Sequence, residues 1–401
     1  MYGTPCFFWK RARLPFFLEP WACYARGVCS QSSRQSTSSA RPATSASREF
    51  ELTSICKTQH REETMDTITI RMPDDFHVHF REGELLRRLA YLVAQQFGRA
   101  IAMPNTLNPP IRTVDDAIPY RDEILMHSGN GFQPLMTLKL YPDTTPEVVR
   151  GAHAAGVVAV KYYPEGVTTN AEDGVSVGRL SELYPAFEAM QDIGMLLLLH
   201  GEMPGVFCLD REAAFLEVLR RLCSDFPGLK IVLEHITTAG AVEAVYTLPA
   251  TVAATITLHH LELTLDDVIG DKIMPHNFCK PVVKRPQDRE ALCYAVTSGN
   301  PKFFFGSDSA PHPICAKECA EGCAGVFTAP VAMPRLMEFF ETLGCLTKLD
   351  PFVSQFGAEF YGLPLNQGTL TLVREPWIVP VEYAGVRPYL AGRTIIWRIA
   401  E

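Results

Sequence analysis

Short apolar stretches alternate with longer amphipathic stretches along most of the chain, beginning at Met65. The apolar stretches predict strands, and amphipathic stretches such as residues 210–223 predict helices that cover them. Strands that are apolar throughout are typical of a parallel sheet buried on both faces. The pattern predicts a first strand in which residues 68–71 lead into His77 and His79, and further strands at residues 99–105, 133–140, 156–161, 194–200, 230–235, 252–257 and 302–308.

Eight alternating strand and helix units predict an α/β protein with a closed (β/α)8 barrel, or TIM barrel. An open doubly wound sheet is the alternative, and it is less favoured because no glycine-rich phosphate loop follows the first strand. From about Asp350 the chain carries Pro, Tyr and Trp with short strand-like pieces. We expect this tail to be a small appendage packed on the barrel.

The composition narrows the class of protein. Apolar residues make up 47% of the chain and charged residues 20%, which fits a large buried core. The net charge of −8 argues against a nucleic-acid partner, and no apolar run approaches the ~20 residues that span a bilayer. The twelve cysteines have no regular spacing, so we expect reduced thiols and a cytoplasmic location.

Residues 1–64 differ from the rest and are predicted to be a disordered extension of the domain at residues 65–401. Residues 1–48 contain seven Lys or Arg residues and one acidic residue, and residues 30–47 are rich in Ser, Thr and Ala. An Arg- and Ser-rich segment also fits a transit peptide, which would make the protein mitochondrial. A third interpretation is an upstream extension, with Met65 as the working start.

Polar residues stand where the predicted strands end. In a parallel barrel these ends meet at one rim, so their side chains converge. His77 and His79 are two apart, which points both imidazoles to one face of a strand. Imidazole and carboxylate are ligands for zinc, and the convergence predicts one metal site. The strand-end residues are His77, His79, Asn105, Lys161, His200, His235 and Asp308.

Lysine binds metal poorly while it carries its proton. A buried lysine beside two cations is pushed towards the neutral amine, which can take up carbon dioxide as a carbamate. We therefore predict that Lys161 is carbamylated (N6-carboxylysine) and bridges two zinc ions. One ion is expected to take His77, His79 and Asp308, and the other His200 and His235.

The barrel portion resembles the amidohydrolase superfamily and, within it, the class II dihydroorotases of pyrimidine biosynthesis. The resemblance extends from Met65 to the C-terminus, and its specificity comes from the combination of motifs. The matching stretches are residues 74–83 (DDFHVHFREG), 102–105 (AMPN), 159–164 (AVKYYP), 199–202 (LHGE), 234–238 (EHITT), 306–312 (GSDSAPH), 322–325 (GCAG) and 360–364 (FYGLP).

The resemblance implies a reversible zinc-dependent hydrolase that interconverts N-carbamoyl-L-aspartate and (S)-dihydroorotate. A hydroxide that bridges the two ions would attack the ring amide, with Asp308 as general base and then general acid. It further implies a homodimer and a loop at residues 164–170 that closes over substrate through Thr168 and Thr169. The implied substrate-binding residues are Arg81, Asn105 and His312 for the carboxylate, the backbone of Lys280 and Ala324 for the ring amide, and His79 and His200 beside the metals.

Two other interpretations fit parts of the pattern. A hydantoinase or an allantoinase would share the metal ligands, but a hydantoin has no carboxylate for Arg81, Asn105 and His312 to bind. A barrel that has lost its metals and serves as an assembly partner is disfavoured because all six predicted ligand positions are filled.

Overall fold

The computed structural model describes residues 66–107, 109–168 and 173–400. The predicted extension at residues 1–64 and Thr169 lie outside the described residues. The strands are β1 (Thr67–Arg71), β2 (Asp74–Val78), β3 (Arg99–Ala102), β4 (Gln133–Lys139), β5 (Ala159–Tyr162), β6 (Leu196–His200), β7 (Ile231–Glu234), β8 (Val252–Ile256), β9 (Phe303–Phe305), β10 (Thr369–Val373), β11 (Trp377–Ile378), β12 (Thr394–Ile395) and β13 (Arg398–Ile399).

Helices separate the strands. They are α1 (Gly83–Ala94), α2 (Val114–Ser128), α3 (Pro146–Ala154), α4 (Tyr184–Ile193), α5 (Arg211–Asp225), α6 (Ala239–Thr247), α7 (Leu258–Glu262), α8 (Asp266–Ile269), α9 (Pro286–Ser298), α10 (Ile314–Lys317), α11 (Ala332–Thr342) and α12 (Phe356–Tyr361). The helix predicted at residues 210–223 is therefore confirmed as α5. No helix in the described part of the chain is long and apolar enough to cross a membrane.

Strands β2 to β9 form one parallel sheet in which spatial order follows sequence order. The residues after β9 continue to β2: Asp308 N donates to His77 O at 2.9 Å, and His79 N donates to Ser309 O at 3.1 Å. These bonds form a seam between the last and first strands. The predicted (β/α)8 barrel is confirmed, and the open sheet is excluded.

Apolar side chains fill the interior of the barrel, as the uninterrupted hydrophobicity of its strands predicts. Phe76, Leu198, Val232 and Phe304 are almost completely buried there. Helix α12 covers the floor, where the ring of Tyr361 lies 4.8 Å from that of Phe76. The side chains that could bind a metal ion, such as His77 and Asp308, therefore lie at the opposite end of the barrel, where the strands end.

The prediction that residues 68–71 lead directly into the first barrel strand was wrong. Strand β1 belongs to a separate small sheet, in which it pairs antiparallel with β10, and β10 pairs with β13. Its alternation of apolar and polar residues suits a sheet with one solvated face, whereas barrel strands are apolar throughout. The C-terminal residues thus form an appendage that also holds the start of the barrel domain.

Candidate active site

The ends of five strands bring the predicted ligand side chains to one place. His77 lies in β2 and His79 directly after it, while Lys161 lies in β5. His200 is the last residue of β6, His235 follows β7, and Asp308 follows β9 beyond Gly306 and Ser307. Because parallel strands end at a common rim, residues distant in sequence become neighbours.

Three of these side chains present ligand atoms to a single point. His77 Nε2 lies 3.3 Å from His79 Nε2 and 3.4 Å from Asp308 Oδ1, and His79 Nε2 lies 3.1 Å from that oxygen. Ligands of a tetrahedral zinc ion with bonds of ~2.0–2.1 Å are separated by roughly 3.3 Å. The donor set and its spacing therefore fit a zinc ion.

The other two histidines lie beside this group. The ring of His235 lies 4.9 Å from that of His77 and 4.8 Å from that of His200. The Nδ1 atom of His235 is buried without a hydrogen-bond partner in the structure. A buried ring nitrogen without a partner is costly unless a metal ion or a water molecule satisfies it. His235 therefore has a buried ring nitrogen available to a metal ion, and the ring of His200 lies beside it.

Buried acceptors form hydrogen bonds with the imidazole rings of His79 and His200, and the carboxylate of Glu234 lies beside the ring of His77 without a hydrogen bond. His79 Nδ1 lies 2.8 Å from Asn105 Oδ1, His77 Nδ1 lies 3.0 Å from Glu234 Oε1, and His200 Nε2 lies 2.8 Å from Glu202 Oε2. An acceptor at one ring nitrogen leaves the other nitrogen available for a metal ion. Sequence reasoning identified neither glutamate.

Lys161 is completely buried beside the histidines, and its Nζ pairs with the carboxylate of Glu234. The same Nζ lies 5.0 Å from the centre of the Tyr163 ring. Two sequence signals could have revealed these neighbours. Glu234 is two residues beyond the interior Val232, and Tyr163 is two residues beyond Lys161, so strand alternation turns each towards the barrel axis.

Left-handed backbone conformations occur at three of the predicted site residues. The φ angles are 64° at Arg81, 42° at His235 and 44° at Asp308. Non-glycine residues rarely adopt such angles, and they concentrate where a function requires a particular side-chain direction. At His235 the turn redirects the imidazole so that it lies in the site together with Glu234, although the two residues are adjacent in sequence.

Burial sets the protonation of the site. It lowers the pKa of Lys161 well below the usual lysine value, and it lowers the pKa values of His77, His79, His200 and His235. Burial alone would raise the pKa of Asp308, but the hydrogen bond from His79 and the electrostatic influence of the nearby histidines hold it well below its usual range. The site therefore favours neutral imidazoles and an ionised aspartate, which are the forms that bind metal.

A cationic group stands next to these ligands. Arg81 Nε donates to Pro311 O at 3.0 Å, and its Nη2 donates to His312 Nε2 at 2.9 Å. Burial and the charge of Arg81 lower the pKa of His312 to about 3, so this imidazole is neutral and can accept. A guanidinium held in this way is suited to binding a carboxylate.

A cavity at the rim is lined by most of the predicted site residues. They are His77, His79, Arg81, Asn105, Thr168, His200, His235, Lys280, Asp308 and Ala324, and they are joined by Tyr163, Ala310 and Gly325. Lys161 and His312 are not in the lining, but each contacts it, through Tyr163 and Arg81 respectively.

Comparisons with known proteins identify relatives of this chain. No family model matches the chain. The dihydroorotase of Teredinibacter turnerae is 47% identical over 345 residues, which cover 84% of this chain and 99% of that protein. The crystal structure of dihydroorotase from Saccharomyces cerevisiae, in complex with 5-fluoroorotic acid, has 37% sequence identity and a TM-score of 0.79, and covers 84% of this chain and 98% of that one.

More distant structures share the architecture alone. An L-hydantoinase (dihydropyrimidinase) from Arthrobacter aurescens has 18% sequence identity and a TM-score of 0.71, and covers 83% of each chain. This likeness shows a common barrel and does not extend to activity. The high identity over nearly the whole length of the curated relative decides the family. The chain belongs to the dihydroorotases, which are cyclic amide hydrolases of the amidohydrolase superfamily.

Proposed function

We propose that this protein interconverts N-carbamoyl-L-aspartate and (S)-dihydroorotate with the help of two zinc ions. The observation that carries the proposal is the pairing, in one cavity, of a zinc-type ligand group with the guanidinium of Arg81. The substrate has a hydrolysable ring amide and a carboxylate. The ring amide matches the side chains that could bind zinc, and the carboxylate matches the guanidinium of Arg81. The orotate analogue bound to the yeast relative supports the same class of ligand.

The residues available to hold the ions divide into two groups, as the distances suggest. His77, His79 and Asp308 would hold one ion, and His200 and His235 the other. When bound, the ions would activate water as a nucleophile near neutral pH and polarise the ring carbonyl. The buried Nδ1 of His235, which has no hydrogen-bond partner in the structure, supports the proposed site for the second ion.

Lys161 would complete the site as a carbamate shared by both ions. Burial lowers its pKa, which favours the neutral amine that reacts with carbon dioxide. Carbamylation requires Lys161 to leave its pairing with Glu234, since both groups would then be anionic. Glu234 would keep its position beside His77 Nδ1, 3.0 Å away.

Asp308 would transfer the proton. Its depressed pKa keeps the carboxylate ionised and able to accept a proton from the attacking water. The same carboxyl group would then pass that proton to the leaving ring nitrogen, and in the direction of ring closure the steps reverse. The backbone at Asp308 is left-handed, and its carboxylate lies 3.1 Å from His79 Nε2.

Arg81, Asn105 and His312 would bind the substrate carboxylate, while the backbone of Lys280 and Ala324 would bind the ring amide. His79 and His200 would line the reacting carbonyl. Thr168 lines the cavity and would help to close it over the substrate together with Thr169. Binding at these points fixes the ring amide over the metal-type ligands, and such positioning accounts for much of catalysis by enzymes of this kind.

A homodimer and a cytoplasmic location complete the proposal. The eight cysteines in the described part of the chain are free thiols, which supports a reducing compartment. Sedimentation of the purified protein would establish whether two chains associate.

A spectrophotometric assay tests the function directly. The purified protein, loaded with zinc, is expected to hydrolyse dihydroorotate and to leave dihydrouracil, which lacks the carboxylate, unchanged. Turnover of dihydrouracil alone would overturn the assignment in favour of a hydantoinase. Failure with both substrates at full zinc occupancy would favour the non-enzymatic interpretation.

A further inference from the structure

Lys317 is a buried lysine outside the metal-type ligand group, and the proposed chemistry leaves it without a role. It ends the short helix α10 and is 4% exposed. Its Nζ donates to three backbone carbonyls: Phe278 O at 3.1 Å, Cys323 O at 3.0 Å and Gly325 O at 2.5 Å. An ammonium group has three donors, so these bonds use all of them.

The three carbonyls belong to two segments that meet at the cavity. Phe278 is two residues before Lys280, and Cys323 and Gly325 flank Ala324; Lys280, Ala324 and Gly325 all line the cavity. The segments also bond directly, since Gly325 N donates to Phe278 O at 2.8 Å. The ammonium group of Lys317 therefore bridges the two backbone segments, at Phe278 and at residues 323–325, that lie on this side of the cavity.

The bond to Cys323 has a specific geometric consequence. The carbonyl of Cys323 and the N–H of Ala324 belong to the same planar trans peptide unit, in which they point in opposite directions. Holding that carbonyl on Lys317 therefore fixes the direction of the Ala324 N–H. At Gly325 the φ angle is +147° and a Cβ atom would lie 2.6 Å from Ala310 O, so the backbone directly after Ala324 is packed closely against the segment at Ala310.

We propose that Lys317 is a positioning residue that aims the backbone donor at Ala324 towards the ring amide of the substrate. This inference rests on the proposed function. Lys317 itself does not touch the substrate. Burial lowers the pKa of Lys317 to about 8, so at pH 7 the group still carries its proton and donates all three bonds.

Lys317→Met tests the inference, with Lys302→Met as a matched control. Lys302 also donates from Nζ to backbone carbonyls, those of Val245 and Leu248, but it precedes β9 at the opposite end of the barrel. For Lys317→Met we expect KM for dihydroorotate to rise about 10-fold, because the substrate would lose roughly the free energy of one hydrogen bond to Ala324. The values of kcat and zinc content should change little. Lys302→Met is expected to leave KM unchanged.

Hydrogen exchange provides a second measurement that separates positioning from general stability. Amides of residues 322–325 should exchange faster in Lys317→Met than in Lys302→Met, even where the two variants lose equal thermal stability. If Lys317→Met does not fold, Lys317→Gln, which keeps two uncharged donors, is expected to show a smaller rise in KM. An unchanged KM in a folded Lys317 variant, with the wild type active, would overturn this inference alone. An inactive wild type would overturn the proposed function instead.

Discussion

Oε2 of Glu202 lies 2.8 Å from Nε2 of His200, and both side chains are almost completely buried. The Nε2–H of the imidazole donates to the carboxylate, which leaves Nδ1 as the nitrogen that can bind a metal ion. The backbone between them is closely packed at Gly201, where a Cβ atom would lie 2.5 Å from the side chain of Leu233. The His-Gly-Glu sequence thus supplies a ligand and its orienting partner together.

Replacing Glu202 with alanine should weaken zinc binding about 10–100-fold, since loss of such an orienting carboxylate typically costs that much metal affinity. Competition with a chromophoric chelator measures the affinity. Glu202→Gln is the matched control: its amide oxygen still accepts from Nε2, so most of the affinity should remain. Equal affinity in the alanine variant and the wild type would exclude an orienting role for Glu202.

Asp308→Asn should lower kcat by about 10²–10⁴, the usual contribution of a general acid–base group, while most of the zinc stays bound. Asparagine keeps the shape of the side chain but cannot accept a proton. Steady-state kinetics and elemental analysis of the same sample would measure both effects. An active Asp308→Asn variant would exclude proton transfer by this residue.

Lys161→Ala should fail to retain two zinc ions unless a short carboxylic acid, such as acetate, is added to replace the carbamate. Lys139→Met is a suitable control, because Lys139 is a buried lysine opposite Lys161 on the neighbouring strand β4. Elemental analysis after gel filtration should find two ions per chain in the control. Two ions in Lys161→Ala without any additive would contradict the carbamate.

Arg81→Lys should raise KM for dihydroorotate about 10–100-fold, because an ammonium cannot reproduce the fork of a guanidinium that also bonds Pro311 O and His312. The exposed Arg112, paired with Asp143, offers the same substitution away from the cavity and should leave KM unaltered. If both variants keep the wild-type KM, Arg81 does not bind the carboxylate.

Asp75 should make the folded state less stable as the pH rises. Burial raises its pKa from 3.8 to about 7, although the N–H groups of His77 and Ser307 donate to it. A raised pKa stabilises the folded state below the unfolded value, and this stabilisation is lost as the pH approaches 7. The expected slope is roughly −1.4 kcal/mol of unfolding free energy per pH unit between about 4 and 7.

Asp75→Asn removes the titrating group but keeps an acceptor for both N–H groups. Urea unfolding at several pH values, with metal chelated, would compare it with the wild type. The difference in unfolding free energy should change steadily across this window. A constant difference would show that Asp75 is already ionised throughout.

Much of the fold could be predicted from the sequence, because a parallel barrel leaves a direct signal in uninterrupted apolar strands with polar ends. Each barrel strand after the first lies within the range predicted for it or differs by one residue, as β5 (Ala159–Tyr162) does from residues 156–161. The placement of β1 was not predictable in this way, since its partner β10 is some 300 residues away.

The contacts among site residues were harder to predict. Strand alternation explains why the side chain of Lys161 faces the site. His235 and Asp308 face the site because their backbone angles are left-handed, and no local sequence pattern predicts those angles. Glu202 and Glu234 were assigned no role because the sequence does not show directly that these acidic residues are buried. Strand alternation could have pointed to Glu234, but the role of Glu202 follows from its burial beside His200, and burial depends on the whole barrel.

The seam between β2 and the residues after β9 has a consequence for how the protein matures. Asp75 bonds to Ser307 across 232 positions of sequence, and a contact of such separation closes a very long loop at a cost in conformational entropy. His77 and His79 lie on one side of that seam and Asp308 on the other. A partly folded state in which this seam has not formed would have only fragments of the ligand set, so tight capture of zinc should coincide with completion of the ring.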